Sequence, residues 1–136
     1  MFRLSAAPLD PAGLRRELID PAGGALAMFE GTVRNQNQGR AVTRLEYEGA
    51  ETMAQKEFAR IEADVREQFD FLRVLCVHRV GSLQPGESAV WVGVTAIHRS
   101  AAFAACQYVL DEVKKRLPIW KKEHYAEGDS GWINAP

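Results

Sequence analysis

Pro118 fixes the end of one helix, and with it the layout of the last third of the chain. Ser100 is an N-cap candidate, and Phe103, Cys106, Leu110, Val113 and Leu117 recur at helical spacing up to the proline, which cannot continue the turn. His98 and Arg99 stand at the start of this helix, and Lys114, Lys115, Arg116, Lys121 and Lys122 surround its end. The 136 residues carry a net charge of −1, so positive charge has been concentrated in one place, as a site for an anionic ligand requires.

At about 100° per residue, Lys114 falls about 20° from the Phe103 line, while Lys115 points about 120° away and is solvated. Lys114 then either snorkels from a packed face or leans across the core boundary, where partial desolvation lowers its pKa and exposes a nucleophilic amine. The helix start at His98-Arg99-Ser100 offers amide N–H groups beside a guanidinium, which suits phosphate; a capped helix with a surface arginine is the plainer reading. Ser100 and Lys114 are 14 residues apart, about 21 Å along a helix, too far for both ends to touch one small ligand. If both serve one site, a two-fold dimer in which each subunit supplies one end is the arrangement that fits.

The remaining pattern predicts a strand over Met1–Ser5, a short helix opened by Asp10-Pro11, a strand from Ala25 to Val33 with Leu26 and Met28 on one face, and a polar loop from Arg34 to Arg40. A strand over Val42–Glu48 precedes a long helix, Glu51–Phe69, with Ala54, Phe58, Ile61, Val65 and Phe69 as its stripe and Lys56, Glu57, Arg60, Asp64 and Glu67 facing water. Phe71–Val80 and Ala89–Ile97 read as strands joined by a turn over Gly81–Glu87; residues after about 124 form an irregular, less ordered tail anchored by Trp132. Consecutive strand pairs separated by helices indicate one α+β domain, residues 1–136, with a largely antiparallel sheet and an inclination to dimerise.

No stretch is long enough to span a membrane, and the N-terminus lacks a signal-peptide pattern. Cys76 and Cys106 read as buried free thiols, which suits a reducing, cytoplasmic setting. His78 sits mid-strand as a structural histidine, and His78, His98 and His124 do not share a metal-ligand spacing, so neither a metal nor another cofactor is expected. The charge balance weighs against nucleic acid, although Arg, Lys and Trp120 lie together. From residues alone, an enzyme and a non-catalytic module that binds a phosphate-bearing ligand or nucleotide remain equally open.

Phe29-x-Gly-x-Val-Arg-Asn35, Val77-His-Arg-x-Gly81, Pro85-Gly-Glu87, Val92-Gly-Val-Thr-x-x-His-Arg-Ser100, Lys114 through Pro118-x-Trp-Lys-Lys-Glu123, Glu127-Gly-Asp129 and Trp132 follow one another over most of the chain. This set resembles the large, catalytic subunit of molybdopterin synthase. The resemblance implies an α/β hammerhead-like fold with an added small antiparallel subdomain, and a cytoplasmic sulfurtransferase of molybdenum-cofactor biosynthesis. Such an enzyme turns a cyclic pyranopterin monophosphate into molybdopterin, taking sulfur from a thiocarboxylate on the C-terminal Gly-Gly of a small ubiquitin-like carrier. Two large subunits pair at the centre of a heterotetramer.

Carried over by position, the resemblance makes Lys114 and Lys121 catalytic. Arg34, His98 and Arg99 become binders of the anionic substrate, with Lys122 beside them, Glu123 the acidic partner of the lysines and Phe29 an aromatic wall. Two departures stand out: Leu110 occupies a pocket-helix position that can be Met, and a C-terminal arginine of some members would align at or beyond Pro136.

Overall fold

The computed structural model describes residues 1–134; Ala135 and Pro136 lie outside the described residues, and so does the position at or beyond Pro136 where that C-terminal arginine would align. The elements run β1 (Phe2–Ser5), α1 (Pro11–Leu18), β2 (Ala25–Thr32), β3 (Gln36–Asn37), β4 (Arg40–Gly49), α2 (Glu51–Gln68), β5 (Arg73–Arg79), β6 (Gly81–Leu83), β7 (Ser88–Ala96), α3 (Arg99–Arg116) and β8 (Ile119–Tyr125).

β7 is buried at every position after Ser88, which requires cover on both faces. It lies inside a sheet of order β1-β5-β7-β2, where β1 and β5 run parallel and the other pairs antiparallel. One face carries α2 and α3: Ala54, Phe58, Ile61 and Val65 from the first and Ala102, Ala105, Val109 and Val113 from the second meet Val74, Cys76, Val92 and Val94. On the other face, Leu14 and Leu18 of α1 close over Leu75, Val77 and Trp91. The eight-residue α1 is too short to cover the whole strand edge, so Leu26 is half-buried there and Met28 remains exposed. The second sheet is built on β4, with β8 along one edge, β6 on the other and β3 at its start. The architecture is therefore the expected α+β arrangement, with the smaller sheet as its added part.

Several expectations are corrected. The N-cap of α3 is His98, not Ser100, because the chain leaves β7 extended and turns helical at Arg99; the Ala102 amide already donates to the His98 carbonyl. The buried face of α3 is the line of Ala102, Ala105, Cys106, Val109 and Val113, since small residues let the helix approach the sheet closely; Phe103 is turned out and 68% exposed. Gly81–Leu83 is strand β6 paired with Leu45–Tyr47 rather than part of a turn. Ile119–Tyr125, whose Lys-Lys-Glu-His content hides a strand, pairs with β4 from Gly49 back to Val42. The polar loop, too, contains a short strand: β3 returns to β4 through Gln38 and Gly39, both at positive φ, as a two-residue hairpin turn demands. On α2, Glu57 and Asp64 are half-buried rather than water-facing, because Arg116 of α3 reaches across to both at 2.7 Å.

Gly93 sits in a tightly packed layer. A Cβ there would lie 2.4 Å from Leu18 Cδ1 and 2.5 Å from the Trp91 ring. Gly93→Ala should therefore cost about 1–3 kcal/mol by overpacking, measured as a lower urea midpoint; an unchanged midpoint would mean that this layer is looser than the structure has it.

Candidate active site

The last turn of α3 and the start of β8 are joined only by Leu117 and Pro118, so Lys114 and Lys121 are delivered to the same side of the molecule. Register then decides which side chains face inward. Tyr47 pairs with Lys121 and Leu45 with Glu123, so these four share one face of the smaller sheet; Glu46 with Lys122 and Glu48 with Trp120 take the other. The inward face, the end of α3 and the β2–β4 connection enclose a cavity of about 200 Å³ lined by Arg34, Asn37, Tyr47, Lys114, Lys121 and Glu123, among others. Arg34 is held from both sides: Val33 exchanges main-chain hydrogen bonds with Gly86 and Glu87, and the Asn35 carbonyl accepts from the Val42 amide.

Glu123 is 6% exposed, and a buried carboxylate is costly unless paired. Asn37 Nδ2 donates to both of its oxygens at 3.0 and 2.9 Å, the Tyr125 hydroxyl donates to Oε2 at 2.7 Å, and Lys121 Nζ stands 3.9 Å from Oε1. Burial alone would raise its pKa; the bonds from Asn37 and Tyr125 and the charges of Lys121 and Arg34 outweigh that and hold it below the usual range. The Lys114 pKa is lowered, first by desolvation and next by the charge of Lys121, with Asp111 opposing. Lys114 is exposed over the residue as a whole, yet it contributes to the cavity wall.

Beneath the cavity, Tyr47 and His78 meet edge to face at 4.8 Å, and His78 Nδ1–H donates to the Arg79 carbonyl at 2.8 Å. Desolvation drops His78 to about 4, with the Lys114 charge adding to the effect, and burial pushes Tyr47 up to about 12. Both are neutral near pH 7. They form an uncharged floor under the lysines.

The structure brings Arg34, Lys114, Lys121 and Glu123 together. Lys122 lies on the opposite face, its Nζ 4.8 Å from the Trp132 ring centroid. Phe29 lines a separate apolar hollow with Met28, Phe103 and Leu110, and His98, Arg99 and Ser100 line another with Gly24 and Ile97, at the far end of α3. Arg116 is occupied by the acids of α2. Sequence reasoning missed Asn37, Tyr47 and Tyr125. The signal for Tyr125 was its i, i+2 relation to Glu123, legible only once Ile119–Tyr125 is known to be a strand. Among the described residues no group of acidic, His or Cys side chains is arranged to hold a metal, and no helix is long and apolar enough to cross a membrane.

An α+β scaffold with cationic side chains gathered around a buried carboxylate defines a class of protein built to receive an anion. A family model described as MoaE protein matches residues 4–116, and the chain belongs to that family. A Nostoc protein named molybdopterin synthase catalytic subunit is 42% identical over 134 residues, 98% of this chain and 81% of its own. One of the same name from Salmonella typhimurium is 46% identical over 112 residues, covering 82% and 74%. The crystal structure of molybdopterin synthase from Staphylococcus aureus superposes with a TM-score of 0.90 at 33% identity, over 96% of this chain and 94% of that one.

The buried histidine gives a pH test. Its pKa falls from an ordinary 6.5 to about 4 on folding, so the unfolded chain takes up the proton first. The stability from neutral His78 is complete above about pH 6.5 and is lost as pH falls towards about 4. Between pH 7 and 4.5 that loss is on the order of 2 kcal/mol, and His78→Gln should flatten the fall by that amount in urea titrations; parallel pH profiles for the two proteins would show that His78 is not desolvated.

Proposed function

We propose that this chain is the catalytic subunit of a molybdopterin synthase, working in the cytoplasm as a sulfurtransferase that converts a cyclic pyranopterin monophosphate to molybdopterin. The observation that carries the reading is the convergence of Arg34, Lys114 and Lys121 on one cavity whose only described carboxylate lining is the saturated Glu123. Sulfur comes from the thiocarboxylated C-terminal Gly-Gly of a small ubiquitin-like carrier. The chain pairs with a second copy at the core of a heterotetramer, and the copy's His98 and Arg99 complete the anion site.

In this reading the arginines and His98 hold the phosphate and orient the pterin, turning the encounter with the carrier tail into a positioned, nearly intramolecular step. The thiocarboxylate sulfur forms its bond to a precursor carbon as that carbon's bond to oxygen breaks and the oxygen departs with a proton. The acyl carbon–sulfur bond then breaks as the acyl group passes to water, directly or by way of the Lys114 amine. A lysine with a lowered pKa supplies a neutral amine more readily, whether as base or nucleophile. Lys121 neutralises charge developing on the transfer intermediate, and Glu123 orients it. The apolar surface around Phe103, Met28 (48% exposed) and Ile97 (49% exposed) supports pairing, because it runs along α3 and β2 between the two cationic ends.

Incubation of the chain with a thiocarboxylated carrier and the cyclic precursor should yield the dithiolene product by mass spectrometry; absence of product with active carrier would reject the synthase reading. Lys114→Ala should abolish product while leaving carrier binding nearly intact, and retained turnover would refute its role. Arg99→Ala should weaken precursor binding about 10- to 100-fold, the size of a lost charge-assisted contact; an unchanged affinity would remove Arg99 from the site.

A further inference from the structure

Glu123 stands among cations, yet its strongest contacts are to neutral groups. Asn37 spans both carboxylate oxygens at 3.0 and 2.9 Å and Tyr125 binds one at 2.7 Å, while Lys121 stays at 3.9 Å, beyond hydrogen-bond reach. A lysine on the same strand face two residues away would otherwise close on a buried carboxylate, because attraction between opposite charges rises steeply as they approach in a poorly solvated place. An ammonium locked in such a pair is lost to an incoming anion.

The two neutral donors are themselves anchored. Asn37 sits in β3, whose register with β4 is fixed by the Gln38-Gly39 turn. The Tyr125 ring lies under the Arg40 guanidinium at 3.7 Å, and Arg40 Nη2 also donates to the Glu127 carbonyl at 3.4 Å. The Glu123 main chain is tied at both ends to Ser130, its amide donating to the Ser130 hydroxyl and its carbonyl accepting from the Ser130 amide, each at 2.9 Å. Carboxylate, hairpin and following turn thus form one unit, and the same connection carries Arg34.

We propose that Asn37 and Tyr125 are positioning residues that saturate the Glu123 carboxylate and so keep it from pairing tightly with Lys121, leaving Lys121 and Arg34 directed at the substrate's anionic group. Neither touches the reacting atoms. The inference rests on the synthase reading for its substrate, but the pairing it describes belongs to the chain itself.

Asn37→Ala lets Glu123 close on Lys121, so kcat/KM for the cyclic precursor should fall about tenfold. Tyr125→Phe, which deletes one oxygen and leaves the ring under Arg40, should lower kcat/KM about threefold and carries the test if Asn37→Ala does not fold. The diagnostic step is the Glu123→Gln background, which has no charge to collapse: there Asn37→Ala and Tyr125→Phe should add nothing. The same pattern should appear in the dissociation constant of inorganic phosphate, followed by NMR titration of the chain without carrier. Unchanged kcat/KM and phosphate affinity in both variants, or losses that persist undiminished in the Glu123→Gln background, overturn the proposal. A chain that makes no product but shows the phosphate pattern retains this inference and loses the synthase reading.

Discussion

The length of α3 governs everything else about the site. Arg99–Arg116 is one unbroken helix, with its small-residue face pressed on β2 and β7 and Arg116 clamped by Glu57 and Asp64 of α2. Fifteen steps separate Arg99 from Lys114, which is about 22 Å of rigid rod. Neither bending nor side-chain reach closes such a gap. The two cationic ends of the helix therefore serve different cavities in one chain, and only a second copy can bring a His98-Arg99 end to a Lys114 end.

Around the lysine end, charge is balanced by placement more than by number. Lys114 and Lys121 repel one another, and the neutral pair Tyr47 and His78 beneath them supplies no counter-charge. The compensation comes from Glu123, a buried carboxylate whose pKa is held below the usual range by the hydrogen bonds from Asn37 and Tyr125 and the charges of Lys121 and Arg34. A cavity arranged in this way has net positive character, and the one carboxylate described in its lining is already satisfied. Such a site favours an anion whose charge is not yet paired.

Much of the fold was legible in the residues because long periodic segments state their own geometry. The α2 stripe through Ala54, Phe58, Ile61 and Val65 and the strands Arg73–Arg79 and Ser88–Ala96 lie where hydrophobic spacing puts them. What stayed hidden was set by partners distant in sequence. Ile119–Tyr125 is a strand because β4 offers it a full-length edge, not because Lys121, Lys122 and Glu123 favour one. Phe103 stands at a helical repeat yet faces outward, since Ala102 and Ala105 permit the closer approach to the sheet. Lys114 and Lys121 were legible from their place around Pro118, whereas Asn37 and Tyr125 gain their meaning only from the register that sets them against Glu123.

The claim that two copies build each site is tested most directly by mixing two impaired chains, one carrying Lys114→Ala and the other Arg99→Ala, after dissociation and reassociation, with precursor kept too dilute to saturate the arginine variant. Random pairing places both defects in one site of a mixed dimer and leaves its other site intact, so about a quarter of the wild-type turnover should return. A mixture that stays as slow as its components, although mixed dimers are shown to form, would contradict the account.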